Sequence, residues 1–203
     1  ARRGLPGVRL LERAAGDFAG IPAGHFDLVV LNSVAQYFPS TDYLLRLVEG
    51  AVDAVAPGGA VFLGDLRSLP LLEAFHASVE LAQAPAELPA AAFRERVRNR
   101  VAREKELLLD PELFRALPRR LPRVSHVEVR LKRGVHHNEM TRFRYDVLLR
   151  VGSGAETVSP AWRRWEDGTG VDSVRREIVA ERPATVALAE VPNARVAGAL
   201  GVV

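Results

Sequence analysis

Apolar and polar positions divide the chain into alternating stretches of strand and helix character. Residues 8–14, VRLLERA, read as a short strand leading into the loop AGDFAGIPAG. Residues 26–32, FDLVVLN, form a nearly continuous apolar run between turn signals, the mark of a parallel strand covered on both faces. Residues 40–59, STDYLLRLVEGAVDAVAPGG, predict a helix. Ser40 or Thr41 caps it, Leu44, Leu45, Val48, Val52 and Val55 recur on one face, and Pro57-Gly58-Gly59 stops it. Residues 60–66, AVFLGDL, read as a second buried strand. Strand, helix, turn and strand make a βαβ unit, so the fold class is α/β, with a parallel sheet and helices on its faces.

The remainder is mixed. Residues 68–85 and 89–109 predict helices, the second densely charged, with Phe93, Val97, Val101 and Leu107 to Leu109 as its apolar positions. DPELFRALPRRLP reads as a short helix and turn. VSHVEVRLKRG and TRFRYDVLLRVG alternate in character and are joined by the polar loop VHHNEM, which predicts an antiparallel hairpin. The character changes after Gly152-Ser153-Gly154. Residues 1–152 are therefore read as the body, and residues 153–203 as an extension of the same domain with a helix (171–181), a strand (185–191) and a terminal helix.

Composition narrows the field. A chain of 203 residues, 48% hydrophobic and 26% charged, can bury the core of one domain. No apolar run reaches the roughly 18–20 residues of a membrane span. With no cysteine, disulfides and thiolate metal sites are excluded, and a cytoplasmic location is expected. The formal charge is +3, and the basic residues are nearly all arginine, Lys105 and Lys132 being the only lysines. Arginines cluster at Arg2-Arg3, in residues 118–123 and in residues 130–134. No nucleic-acid motif accompanies them, so they read as solvated faces. The neighbours His136 and His137 do not have the spacing of a metal pair, and no metal is expected. No G-x-S-x-G elbow supports hydrolase chemistry.

In an open parallel sheet, ligands bind beyond the carboxyl ends of the strands. That rule selects Asn32-Ser33, followed by Gln36, Tyr37 and Phe38, where the apolar run breaks into amides and a hydroxyl. It also selects Asp65 and Arg67 at the next strand end, and Asp17-Phe18 after the first. An acid can accept from an exocyclic amine, and an aromatic can lie against a flat ring. Each group also has a plain reading: a turn, a loop cap or a surface pair.

FDLVVLNSVAQYFPSTDYLLRLVEGAV, GGAVFLGDLRSLPLLEAFHASVELA, ELLLDPELFRAL and VEVRLKRGVHHNEMTRFRYDVLL together resemble the methyltransferase domains embedded in nonribosomal peptide synthetases, and VPNARV resembles that family's ending. The resemblance implies a class I Rossmann-like methyltransferase sheet using S-adenosylmethionine, in secondary metabolism such as antibiotic biosynthesis. It implies an aminoacyl group on a carrier protein as substrate, methylated most often at the α-nitrogen, with adjacent synthetase domains as neighbours. Carried over by motif, Asp17 and Phe18 lie near adenine, and Asn32 and Ser33 beside the cofactor's methionine part. Gln36 and Tyr37 sit at the cofactor–substrate junction. Asp65, Arg67 and Arg142 line the acceptor side with Asn138 and Glu139. Glu139 is then the candidate proton acceptor, oriented by Asn138 and Tyr37.

One departure stands against the match. The family's opening strand and glycine-rich turn, of the form E-x-G-x-G-x-G, are not found. The nearest substitute, EDGTGVDS at residues 166–173, follows WRRW instead of an apolar strand and reads as a loop. The sequence is thus read as the C-terminal two-thirds of such a domain. The strands at 8–14 and 26–32 must then pair with each other or leave an open edge. Two other readings follow: a non-catalytic remnant serving as an interaction module, and a stand-alone small-molecule methyltransferase.

Overall fold

The computed structural model describes residues 7–85, 87–152, 160–166 and 168–201. Its main sheet has four strands in the order β1-β2-β4-β3. Strand β1 (Phe26–Asn32) runs parallel to β2 (Val55–Arg67), and Leu31 and Asn32 stand opposite Leu63 and Gly64. Helix α1 (Thr41–Ala54) makes the crossover, with the Ser40 side chain capping it by accepting from Tyr43 N. The hairpin forms as its alternation requires: β3 (Val124–Leu131) and β4 (Arg144–Val151) are antiparallel, and β4 also pairs antiparallel with β2.

One face of this sheet is covered. Val29, Leu31, Val61, Leu63, Val147 and Leu149 pack with Leu44, Leu47 and Val48 of α1. Phe114 of α4 (Pro111–Arg115) and Leu117 of α5 (Leu117–Arg120) belong to the same core. The other face of β1 is bare, with Leu28 52% and Val30 55% exposed. The expectation of a strand covered on both faces is therefore met on one face only. Residues 8–14 form no strand, Leu10 is 89% exposed, and among the described residues nothing pairs with the outer edge of β1. The open-edge alternative is the one realised.

Beyond the carboxyl end of β2, α2 (Leu72–Gln83) packs on α3 (Ala90–Ala102). The predicted helix over 89–109 stops seven residues early. The reason is competing backbone pairing: Leu107 N donates to Gln36 O, Leu109 N to Arg67 O, and Leu69 N to Leu109 O. The Tyr145 hydroxyl also donates to Leu109 O, at 3.0 Å. An extended segment satisfies groups at the end of β2 that a helix would leave buried and unpaired.

The loop joining β3 to β4 contains one short helix, α6 (Glu139–Phe143), capped reciprocally by Asn138 and Thr141. In the extension, β5 (Trp162–Arg164) pairs parallel with β6 (Ala187–Ala189) through α7 (Val171–Glu181). A three-residue strand precedes Gly168-Thr169-Gly170, but the glycines themselves lie outside helix and strand, as the loop reading has it. All three β5 residues are exposed, and the pair forms a sheet separate from the main one. The terminal helix is one turn, α8 (Ala197–Leu200), and the strand expected over 185–191 is three residues long. The body–extension boundary at 152–153 adjoins residues 153–159, which lie outside the described set.

Candidate functional site

The carboxyl ends of β1 and β2 carry the two features that distinguish this rim. Ser33 (φ 58°) and Asp65 (φ 67°) both adopt left-handed backbone, which costs a residue with a Cβ about 1 kcal/mol or more and persists only where the surroundings enforce it. They enforce each other, since the Ser33 hydroxyl donates to Asp65 Oδ2 at 2.9 Å. Between them, Gly64 leaves room for Asn32. A Cβ on Gly64 would lie 2.1 Å from Asn32 Oδ1, so only glycine permits this approach. Asn32 Nδ2 in turn donates to Ser33 Oγ at 3.2 Å.

From Asp65 the network runs into the hairpin. Arg144 Nη1 donates to Asp65 Oδ2 at 3.0 Å, while its Nη2 and Nε reach Glu139 Oε1 at 2.6 and 3.1 Å. Asp146 Oδ1 accepts from Asp65 N at 2.9 Å and from Lys132 Nζ at 2.8 Å. Asn32, Ser33, Asp65 and Glu139, selected from separate segments, are thus joined in one continuous chain of contacts. Asp65 is 2% exposed, and its Oδ1 has no hydrogen bond, with Lys132 Nζ 3.7 Å away. The buried Gln36 lies on the same rim. Its Nε2 donates to Ser33 O, and its Oε1 is likewise without a partner.

Arg67 is turned into a second, neighbouring network. Its guanidinium holds Glu106 at 2.9 Å and Glu104 at 2.8 Å, and lies 5.2 Å from the Phe75 ring centre. Burial works against the charge on Glu104, yet the hydrogen bond and charge of Arg67, with the backbone N–H groups of Glu106 and Lys105, bring its pKa down to about 2. His76 stands 3.2 Å from Glu104. Burial lowers its pKa, the attraction of Glu104 opposes this, and the charges of Arg67 and Arg100 add to the lowering, which favours the neutral imidazole. Arg67, Glu139 and Arg144 also border one narrow crevice with Ser68, Phe75 and Phe143.

The other selected residues are placed differently. Tyr37 is 72% exposed and projects from a 3-10 turn beside the rim. Asn138 is occupied as the cap of α6. Arg142 faces away from the chain of contacts, donating through Nε to Arg195 O and lying 4.8 Å from the centre of the Phe143 ring. The Phe18 ring is seated on α1, where a Cβ at Gly50 would lie 2.6 Å from it. Asp17 is exposed, and its Oδ1 accepts from Ala19 N at 3.0 Å. The plain loop-cap reading of Asp17 and a packing role for Phe18 are thus both realised.

Sequence reasoning missed Arg144, Asp146 and Lys132, which join the rim, and Glu104, which orients Arg67. A usable signal was the period of two in RYDV, which puts Arg144 and Asp146 on one face at the start of β4. Within the Asp65 cluster, Asp65, Asp146 and Glu139 face Lys132 and Arg144, a formal balance of −1. Among the described residues, no group of three or more side chains is arranged to hold a metal ion.

No protein-family model matches the chain. It is 50% identical over 199 residues to chondramide synthase cmdD of Chondromyces crocatus, covering 94% of this chain and 5% of that protein. It is 46% identical over 151 residues to the probable non-canonical nonribosomal peptide synthetase CymA of Salinispora arenicola, covering 74% of this chain and 2% of that protein. The chain thus spans 5% or less of the length of these two relatives. An O-methyltransferase family protein from Burkholderia thailandensis aligns in structure with a TM-score of 0.44 at 17% identity, over 71% of this chain and 36% of that one.

Proposed function

We propose that the chain, similar over most of its length to parts of peptide synthetases, is a methyltransferase domain of the kind embedded in nonribosomal peptide synthetases, and that it moves a methyl group from S-adenosylmethionine to an aminoacyl group on a carrier protein, at the α-nitrogen. The observation that carries this reading is the unbroken chain Asn32–Ser33–Asp65–Arg144–Glu139 along the carboxyl rim. Its excess negative charge favours a cation at the rim, whether a sulfonium or a protonated amine.

The residues present fit one half of the cofactor's surroundings. Asn32, Ser33 and the unpartnered Oε1 of Gln36 offer polar contacts for its methionine part, and Asp17 offers an acceptor for adenine on the loop that Phe18 seats. When bound, the cofactor supplies an electrophilic methyl carbon. The bare Leu28–Val30 face and the open edge of β1 favour a further segment, with a glycine-rich turn, completing the pocket there.

The chain's own residues then have two tasks. One is alignment, because an in-line displacement is accelerated chiefly by holding nucleophile and methyl together. Asp65, fixed at its carboxylate by Ser33 and Arg144 and at its N–H by Asp146, anchors the acceptor side, with Tyr37 exposed beside it. The second is proton removal, because an α-amine attacks only when neutral. Glu139 takes that proton directly or through water, and Arg144 holds the carboxylate in place.

Intact mass measurement of an aminoacyl-loaded carrier protein, incubated with the synthetase module and cofactor, tests this. A gain of one methyl on the carrier-bound group supports it. Methylation of free acceptors alone favours a stand-alone enzyme. Absence of product, with the β1 face instead protected by a neighbouring domain, favours an interaction module, the reading to which the bare face otherwise lends weight.

A further inference from the structure

The loop that carries Glu139 is held by a residue more than fifty positions downstream. Arg195 Nη1 donates to Thr141 O at 3.2 Å and to Lys132 O, while Nη2 donates to Gly134 O at 3.3 Å. These three carbonyls lie on both legs of the β3–β4 connection, past the end of β3, where no strand partner takes them. Arg142 returns the contact from inside the loop through its bond to Arg195 O, at 2.9 Å. The legs touch where Arg195 draws them together, a Cβ on Gly134 lying 2.5 Å from Thr141 Cγ2.

The segment around Arg195 is built to aim it. Asn193 Oδ1 accepts from Arg195 N at 3.1 Å, and Asn193 O accepts from Val196 N and Ala197 N, which fixes a tight turn. Val196 and Ala199 then bury themselves against Ala74 and Phe143, with Phe75 alongside. Phe143 is the last residue of α6, and Arg144, the ligand of Glu139, follows it directly. Turn, guanidinium and apolar anchor therefore all bear on the few residues that set the Glu139 carboxylate.

We infer that Arg195 is a positioning residue for the acceptor site, clamping the loop of residues 132–143 so that Glu139 and Arg144 keep their geometry. Five N–H donors on a planar group suit this task, and a lysine would satisfy at most a fraction of the three carbonyls. The kinetic part of the inference rests on the methyl-transfer reading above, whereas the structural part does not.

Two measurements separate these parts. In the whole chain, Arg195→Ala is expected to speed amide exchange across residues 132–143 about tenfold or more while the amides of β2 stay protected. In the synthetase module, kcat for methyl transfer is expected to fall about tenfold with cofactor affinity unchanged, and free guanidinium is expected to restore part of the rate. Arg195→Lys should restore less than guanidinium does. Asn193→Ala, a milder change, should move both readouts in the same direction and serves if Arg195→Ala does not fold. Unchanged exchange in the loop overturns the clamp. Faster exchange with an intact kcat overturns the positioning role. Absence of transfer by the unaltered module overturns the functional reading and with it the kinetic role of Arg195, leaving exchange to decide the clamp.

Discussion

Replacing Arg67 with methionine tests the electrostatics of the rim most directly. The Glu104 carboxyl is held at about 2 against an ordinary 4.5, a gap of about two and a half pH units, or about 3 kcal/mol at roughly 1.4 kcal/mol per unit. Because the folded pKa is depressed, this stabilisation is fully present above the ordinary value and is lost as pH falls towards 2. Near pH 3 about 1 kcal/mol of it remains, since Glu104 is still ionised when folded but protonated when unfolded. In Arg67→Met the carboxylate loses its charged partner and keeps only the backbone N–H groups of Lys105 and Glu106 to oppose burial, so its pKa returns to the ordinary range. Urea denaturation of both proteins at pH 7 and pH 3 should therefore give a stability difference of about 3 kcal/mol that shrinks to about 1 kcal/mol on acidification. Adding Glu104→Gln should recover part of the loss at pH 7, because no unpaired charge is then buried. A difference independent of pH, or no recovery in the double variant, would refute the reasoning.

Four further outcomes are expected. Gly64→Ala should cost about 1–3 kcal/mol, because its Cβ would also lie 2.6 Å from the Phe62 ring; chemical denaturation measures it, and crystallography should find Asn32 displaced. Ser33→Gly should be about 1 kcal/mol more stable than Ser33→Ala, since both lose the hydroxyl bond to Asp65 and only glycine relieves the left-handed backbone; equal stabilities would mean the strain is negligible. Glu139→Gln in the synthetase module should lower turnover far more than cofactor affinity, and an equal loss of both would mark Glu139 as structural. For the chain by itself, calorimetry should give weak cofactor binding or none, and micromolar binding would contradict the need for a segment on the β1 edge.

Local signals carried much of the architecture. The Ser40 cap, the apolar face of α1 and the Pro57-Gly58-Gly59 turn specified the crossover, although β2 begins at Val55, before that turn. Alternation in residues 124–134 and 141–152 specified the hairpin, because a period of two leaves few other folds open. The strand-end rule found Asn32, Ser33 and Asp65, since polar residues that end an apolar run must meet water, a ligand or one another. Local pattern misled at residues 8–14, which stay off the sheet although the outer edge of β1 is open, and at residues 103–109, where helical propensity lost to pairing with Gln36 and Arg67.

Chain order and spacing alone determined the βαβ unit, the hairpin and a polar rim of the sheet. Tertiary structure decided which charges meet there. Arg144 binds both Asp65 and Glu139, Arg67 is drawn away to Glu104 and Glu106, and Arg195 ties the loop from fifty residues downstream. The reason is that hydrogen-bond geometry acts over about 3 Å in space, and ionic partners on different strands carry no periodic signature along the chain. Likewise, the apolar face of β1 was legible as a pattern, but whether anything covers it depends on packing, and Leu28 and Val30 stand exposed.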